Sequence, residues 1–168
     1  PMHKGIVGTI NLNRAIQRRL NPNPVEIRFA GQAFKPQDKV MHLKNNYRKD
    51  VYNGDSGIIC DIDGKNDILA VDYDGRIVEY TLPELEEIIL AYAITVHKSQ
   101  GSEYPAIVMP VMTQHYVMLQ RNLLYTAITR GKQLVVLVGT RKALSIALAN
   151  ISPRQRLSRL ADRLAEFR

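Results

Sequence analysis

Tryptophan is absent from this chain of 168 residues, cysteine occurs once and phenylalanine three times. A lone cysteine, Cys60, forms no internal disulfide, which excludes the framework of a small disulfide-stapled domain. It sits in the strand-like run Gly57-Ile58-Ile59-Cys60-Asp61-Ile62 and reads as an ordinary buried thiol. The four histidines are scattered, so no metal-ligand spacing is present. No apolar run approaches about 18 residues and no signal-peptide pattern opens the chain, so neither a spanning helix nor secretion is read from it. Missing too is any GxxxxGK[ST] phosphate loop, or an acidic strand end to partner it. The chain begins Pro1-Met2-His3-Lys4-Gly5 with no initiator methionine in front, which reads as a piece of a longer protein.

What is present suffices for a packed core, since 45% of the residues are hydrophobic. The net charge is +7 and unevenly placed, with residues 50–90 carrying two basic and eleven acidic side chains, −9 in all. The remaining segments are all basic. A basic balance suits a polyanionic partner, yet an anionic module is a poor general grip for phosphates. Of the eight tyrosines, Tyr47, Tyr52, Tyr73 and Tyr80 fall in or beside the acidic stretch. They read mainly as core or strand-surface residues rather than as a base-stacking platform. A nucleic-acid contact there would use a local face near Lys44, Arg48 and Lys49.

Residues 9–20 place Leu12, Ile16 and Leu20 at i, i+4 and i+8, the spacing of a helix with one apolar face, and Asn21-Pro22-Asn23-Pro24 ends it. From about residue 32 to 90 short strand-like runs alternate with the turn dipeptides Asn53-Gly54, Asp63-Gly64 and Asp74-Gly75, a pattern that predicts a small β-barrel. Residues 91–149 return to α/β character. Ala106–Pro110 reads as a strand, and Leu119, Leu123, Leu124, Ala127 and Ile128 as a helical face with Gly131 as its C-cap. Gln133–Gly139 reads as a fully buried strand and Arg141–Asn150 as a further helix. Strand, helix, strand, helix predicts a parallel sheet. After Pro153, the spacing of Leu157, Leu160, Ala161 and Leu164 predicts an amphipathic helix.

Chemistry concentrates in two segments. Thr95-Val96-His97-Lys98-Ser99-Gln100-Gly101-Ser102-Glu103-Tyr104-Pro105 follows the apolar run Ile88–Ile94, so a strand empties into a polar, glycine-containing loop. Open α/β sheets bind ligands at such strand ends. Further on, Arg121-Asn122-Leu123-Leu124-Tyr125-Thr126-Ala127-Ile128-Thr129-Arg130-Gly131-Lys132 is a helical pattern ending on an arginine and a glycine. Together the two segments resemble motifs V and VI of superfamily 1 helicases, and their wording resembles the RecD-type branch. Gly5, Gly8, Leu12, Asn13 and Gln17 are similar to motif IV of that branch.

The resemblance implies a RecA-like, parallel-sheet second motor domain of the P-loop NTPase class (2A) interrupted by an inserted SH3-like β-barrel (2B). Residues 1–31 and 91–149 would form 2A, residues 32–90 the barrel and residues 150–168 a basic helical tail. It implies an ATP-dependent helicase moving 5′ to 3′ on single-stranded DNA. ATP and Mg2+ would be bound mainly by an N-terminal motor domain of the same polypeptide. In that family the motif VI arginine reaches across the cleft to the γ-phosphate, a role that falls on Arg130. The nucleotide edge would be served by Gly101, Glu103, Gln100 and Lys4, and a DNA phosphate by Thr95, His97, Ser99 and Lys98. The implied setting is bacterial, cytoplasmic and nucleoid-associated, with single-stranded DNA and nuclease-complex subunits as partners and no membrane. Two other readings stay open: a non-catalytic binding module derived from a helicase, and the motor part of a relaxase or nuclease complex.

Overall fold

The computed structural model describes residues 5–150. Lys4 and the amphipathic pattern after Pro153 therefore lie outside the described residues. The chain opens with helix α1 (Thr9–Leu20), whose last turn carries Arg18 and Arg19 where cations suit the helix dipole. Its buried face is not the apolar one. Thr9, Asn13 and Gln17 are turned inward while Leu20 is 68% exposed. The inward face meets backbone carbonyls and a buried carboxylate, so amides satisfy it and leucines would not.

That carboxylate belongs to Asp38, fully buried where the chain leads into the first long sheet. Its Oδ1 accepts from Asn21 Nδ2 at 2.7 Å and from the Tyr92 hydroxyl at 2.9 Å. Its Oδ2 accepts from the Lys35 backbone N–H at 2.8 Å and from Gln17 Nε2. Gln17 also donates to Ala33 O and Asn21 to Pro36 O. The end of α1, the residues before the sheet and the residues after it are thus tied at one point.

A hairpin, β1 (Ile27–Phe29) and β2 (Gln32–Phe34), comes first, so strand structure begins at residue 27 rather than 32. Five strands then make one antiparallel sheet: β3 (Lys39–His42), β4 (Ser56–Asp63), β5 (Ile68–Tyr73), β6 (Arg76–Thr81) and β7 (Ile88–Leu90), in the order β6-β5-β4-β3-β7. Period-two alternation builds its inner face: Leu69, Val71 and Tyr73 on β5 and Val78 and Tyr80 on β6 are buried. Ile27 and Phe34 of the hairpin pack into the same core. Asp74-Gly75 turns β5 into β6 with φ of 53° and 94° at its two central residues, the primed turn the dipeptide predicts. Cys60 departs from expectation. It is exposed, because Ile59 takes the inward position and a bulge follows between Ile59 and Asp61.

Part of the acidic charge of this region is met nearby. Lys49 pairs with Glu84 at 2.7 Å, Lys44 with Glu86 at 2.5 Å, and Arg76 with Asp50 at 2.6 Å. Two of the three cations read as a local nucleic-acid face are therefore engaged, and Arg48 alone has no ion-pair partner among the described residues.

The second layer is a parallel pair, β8 (Tyr104–Val111) and β9 (Gly131–Gly139), connected through a 3₁₀ segment and helix α2 (Arg121–Ile128), and followed by α3 (Arg141–Ala149). Val111, Leu119, Leu124, Ala143 and Ala147 form its core. Two expectations fail here. Strand β9 is not fully buried: Leu134 is 54% and Val138 47% exposed, since β8 is its only neighbour among the described residues. Gly131 is no left-handed cap either. It opens β9, and a Cβ there would lie 2.8 Å from Val135 Cγ2, so the glycine permits close approach.

A polar ladder runs through the first core: the Tyr73 and Tyr80 hydroxyls lie 2.9 Å apart, and the Tyr80 hydroxyl is 3.1 Å from Nδ1 of fully buried His42. Burial pulls the His42 pKa below the usual imidazole value, a pull that the Glu87 carboxylate offsets only in part. The unfolded chain takes up a proton as pH falls through about 6.5, whereas the folded chain does so only at lower pH. Stability from this group is therefore complete above that pH and declines below it. Thermal melts between about pH 7.5 and pH 5.5 should show a midpoint that falls with acid, and less steeply for His42→Gln than for the natural chain.

Candidate functional site

Buried β7 delivers the chain through Ala91, Tyr92 and Ala93 to the polar loop. There a short 3₁₀ turn, His97–Ser99, is organised by Thr95. The Thr95 carbonyl accepts from Lys98 N at 3.0 Å and Ser99 N at 3.2 Å, and its hydroxyl oxygen accepts from Lys98 N at 3.3 Å. Ser99 is 8% exposed and its hydroxyl donates to Val96 O at 2.7 Å. That hydrogen is committed inside the turn, so Ser99 shapes the loop rather than offering its O–H outward.

His97 is exposed at the outer side of the turn. Lys98 is half-buried and has no ion-pair partner among the described residues. Burial alone holds its pKa below the usual ammonium value. A partly desolvated cation facing no carboxylate favours an incoming anion. Gln100 is exposed, and Gly101 reverses the chain at φ of 84°.

The loop then meets the end of α2. The Tyr104 backbone N–H donates to Arg130 O at 2.8 Å, and Arg130 Nη1 donates to Ser102 O at 3.4 Å. The two sequence motifs, separated along the chain, are thus in contact. Arg130 is half-buried. Its other bond, from Nη2 to Thr129 Oγ1, is also 3.4 Å, and its buried Nε has no partner among the described residues. No carboxylate of the described residues pairs with this guanidinium, and most of its five N–H donors are unspent or weakly used. Glu103 is instead held by Lys132 at 2.8 Å, both side chains more than half exposed, and that ammonium keeps the Glu103 carboxyl below its usual range.

Of the residues expected at the site, Thr95, His97, Lys98, Ser99, Gln100, Gly101, Glu103 and Arg130 all lie on this loop or on the helix end against it. Sequence reasoning missed the supports behind them. Asn13, Asp38 and Tyr92 hold the chain just before the loop, and only Asn13 carried a signal, as part of the motif IV resemblance. Lys132 was also unassigned, although its position two residues after Arg130 places it beside Glu103 once β9 pairs with β8.

Gly101 is required for its backbone and not for space, since a Cβ there would meet nothing within 4 Å. Gly101→Ala should therefore lower stability by about 1 kcal/mol through the positive φ alone. Denaturant midpoints measure it, and a neutral result would mean the loop relaxes to another conformation.

Comparison with known proteins gives a consistent picture. Residues 12–73 match the family described as the ATP-dependent RecD-like DNA helicase SH3 domain, and residues 90–138 match the UvrD-like helicase C-terminal domain. The whole chain is 38% identical to part of the ATP-dependent RecD2 DNA helicase of Deinococcus radiodurans, covering 23% of that protein. Over 151 residues it is 30% identical to the RecBCD enzyme subunit RecD of Mycobacterium tuberculosis, covering 86% of this chain and 25% of the relative. The chain thus spans about a quarter of the length of these relatives. Among solved structures, Pif1 helicase from Bacteroides in complex with ADP-AlF3 and single-stranded DNA shares the fold, with a TM-score of 0.60 at 18% identity, covering 99% of this chain and 47% of that one.

Proposed function

Because this chain belongs to the RecD-like helicases, whose SH3 domain and UvrD-like C-terminal domain it carries in succession, we propose that it forms the second motor half of an ATP-dependent DNA helicase. Such a protein would translocate 5′ to 3′ along a single strand. The observation that carries the reading is Arg130: a half-buried guanidinium with no carboxylate partner among the described residues, set at a helix end against Ser102, where the polar loop ends.

Phosphoryl transfer spreads negative charge over the transferring group, and a planar, permanently charged fork neutralises it best. Arg130 is the finger in this reading, reaching ATP and Mg2+ held mainly by the N-terminal motor domain of the full-length protein. Gln100, Gly101 and Glu103 serve the nucleotide side of the loop, and the family resemblance assigns a second cation to Lys4, which lies outside the described residues. Lys98, His97 and Thr95 grip a DNA phosphate without reading bases, and Ser99 keeps their turn in shape. Closing the cleft around ATP would draw Arg130 toward the γ-phosphate, and opening would release it. The loop shares its end with Arg130, so nucleotide state and DNA grip change together.

The chain is 38% identical to a relative named for its own helicase activity and 30% identical to a RecBCD subunit, a difference that favours a motor working in its own right over a nuclease-complex subunit. Residues 1–168 contain no phosphate loop, so by themselves they hydrolyse no ATP.

In the full-length protein, Arg130→Ala should lower turnover of ATP in the presence of single-stranded DNA by about 10³-fold or more while nucleotide still binds. Steady-state hydrolysis together with titration of a fluorescent nucleotide analogue measures both. Unchanged turnover would reduce Arg130 to a helix-end cation, and absence of hydrolysis by the natural protein would favour a non-catalytic binding module.

A further inference from the structure

The segment leading into the Thr95–Gly101 loop is held by a side chain 80 residues earlier in the chain. Asn13 Nδ2 donates to Ala93 O at 2.8 Å, and Ala93 N–H donates to Asn13 Oδ1, also at 2.8 Å. One primary amide thus satisfies both main-chain polar groups of one residue, as a neighbouring β-strand would. Among side chains only Asn and Gln offer a donor and an acceptor in that fork. The adjoining residue is anchored as well, since the Tyr92 hydroxyl donates to Asp38 Oδ1.

These anchors share a platform. Asn13, Gln17 and Asn21 follow one another at i, i+4 and i+8 along the buried side of α1 and just past its end. Gln17 and Asn21 hold Asp38, which holds Tyr92, while Asn13 holds Ala93 directly. Two residues after Ala93 stands Thr95, whose carbonyl and hydroxyl organise the turn that presents His97 and Lys98. The loop has no other clamp of this kind on its leading side among the described residues. A segment held at both main-chain groups cannot swing without breaking both bonds together.

We propose that Asn13 is a positioning residue for the DNA-gripping loop, and that the Asn13–Gln17–Asn21 face, with Asp38 and Tyr92, makes α1, the five-stranded sheet and the loop one mechanical unit. The inference rests on the motor reading for the identity of the ligand, but its geometric part stands without it. Rotation of α1 or of the sheet is thereby transmitted to the spacing of the phosphate-binding side chains, through Ala93.

The test uses the full-length protein with Asn13→Ala, Asn13→Asp and Tyr92→Phe. Asn13→Ala removes both bonds. Asn13→Asp keeps the acceptor but sets an oxygen against Ala93 O, so it should be no better. Tyr92→Phe deletes a single hydroxyl and gives the same change in smaller measure. Two quantities are read: amide hydrogen exchange of residues 93–101 against that of β4–β6, and the concentration of oligothymidylate that half-saturates ATP hydrolysis against the saturated rate. Losing two such bonds should speed exchange of 93–101 about tenfold with β4–β6 unchanged, and raise the half-saturating concentration about tenfold with the saturated rate within about twofold.

Exchange that is unchanged at 93–101 in a folded Asn13→Ala protein overturns the clamp. Faster exchange with unaltered half-saturation overturns its role in DNA grip. Should Asn13→Ala fail to fold, Asn13→Asp and Tyr92→Phe are judged by the same two readings. If the natural protein shows no DNA-dependent hydrolysis, the motor reading fails instead, and the exchange measurement alone decides the clamp.

Discussion

A single buried carboxylate organises the chain. Asp38 sits with no exposed surface and no ion-pair partner among the described residues, so its two oxygens depend on four neutral donors from α1, from the backbone before β3 and from Tyr92 after β7. Burying such a group without partners would be prohibitive, whereas with four donors it becomes a junction that only one arrangement of three segments satisfies. The five-stranded sheet interrupts the chain between α1 and the polar loop, and this junction closes the interruption at its base. Distance along the sequence is thereby cancelled, and the loop is placed as if it followed α1 directly.

The distribution of charge gains its meaning from the same folding. Along the sequence the sheet region looks like an anionic block that should repel a polyanion. In space, Lys44, Lys49 and Arg76 stand against Glu86, Glu84 and Asp50, so part of that charge is spent internally. Exposed pairs of this sort contribute little stability, because water and salt screen them. Where the two motifs meet, Lys98 and Arg130 have no ion-pair partner among the described residues. Glu103, on the same loop, is paired with Lys132.

The two layers differ in how complete they are. The antiparallel sheet has its own core of thirteen buried residues and a ladder of tyrosines and His42 within it. The parallel pair β8 and β9 has a small core on its helical side and keeps Val108, Leu134 and Val138 largely exposed. Parallel strands are normally covered on both faces, and a pair of them is the least amount of sheet that still shows the crossover. That contrast agrees with a chain that spans about a quarter of its relatives' length.

Local chemistry was legible in the residues alone. The limits of α1 follow from helix spacing and the prolines after it. The Asp74-Gly75 turn follows from its need for positive φ, and the meeting of strand end, polar loop and arginine-tipped helix follows from the wording of two short motifs. What spacing could not show is which face of an element finds which partner. Helix α1 displays a stripe of Leu12, Ile16 and Leu20, but it turns its amides inward because backbone carbonyls and Asp38 wait there. Cys60 faces out because Ile59 faces in. Gly131 serves a close strand contact and not a cap, and β9 is apolar yet keeps Leu134 and Val138 exposed among the described residues. Periodicity is a property of neighbouring residues and is written in the sequence. The pairing of Asn13 with Ala93, or of Glu103 with Lys132, is a property of the packed chain, decided only when distant backbone groups must be satisfied together.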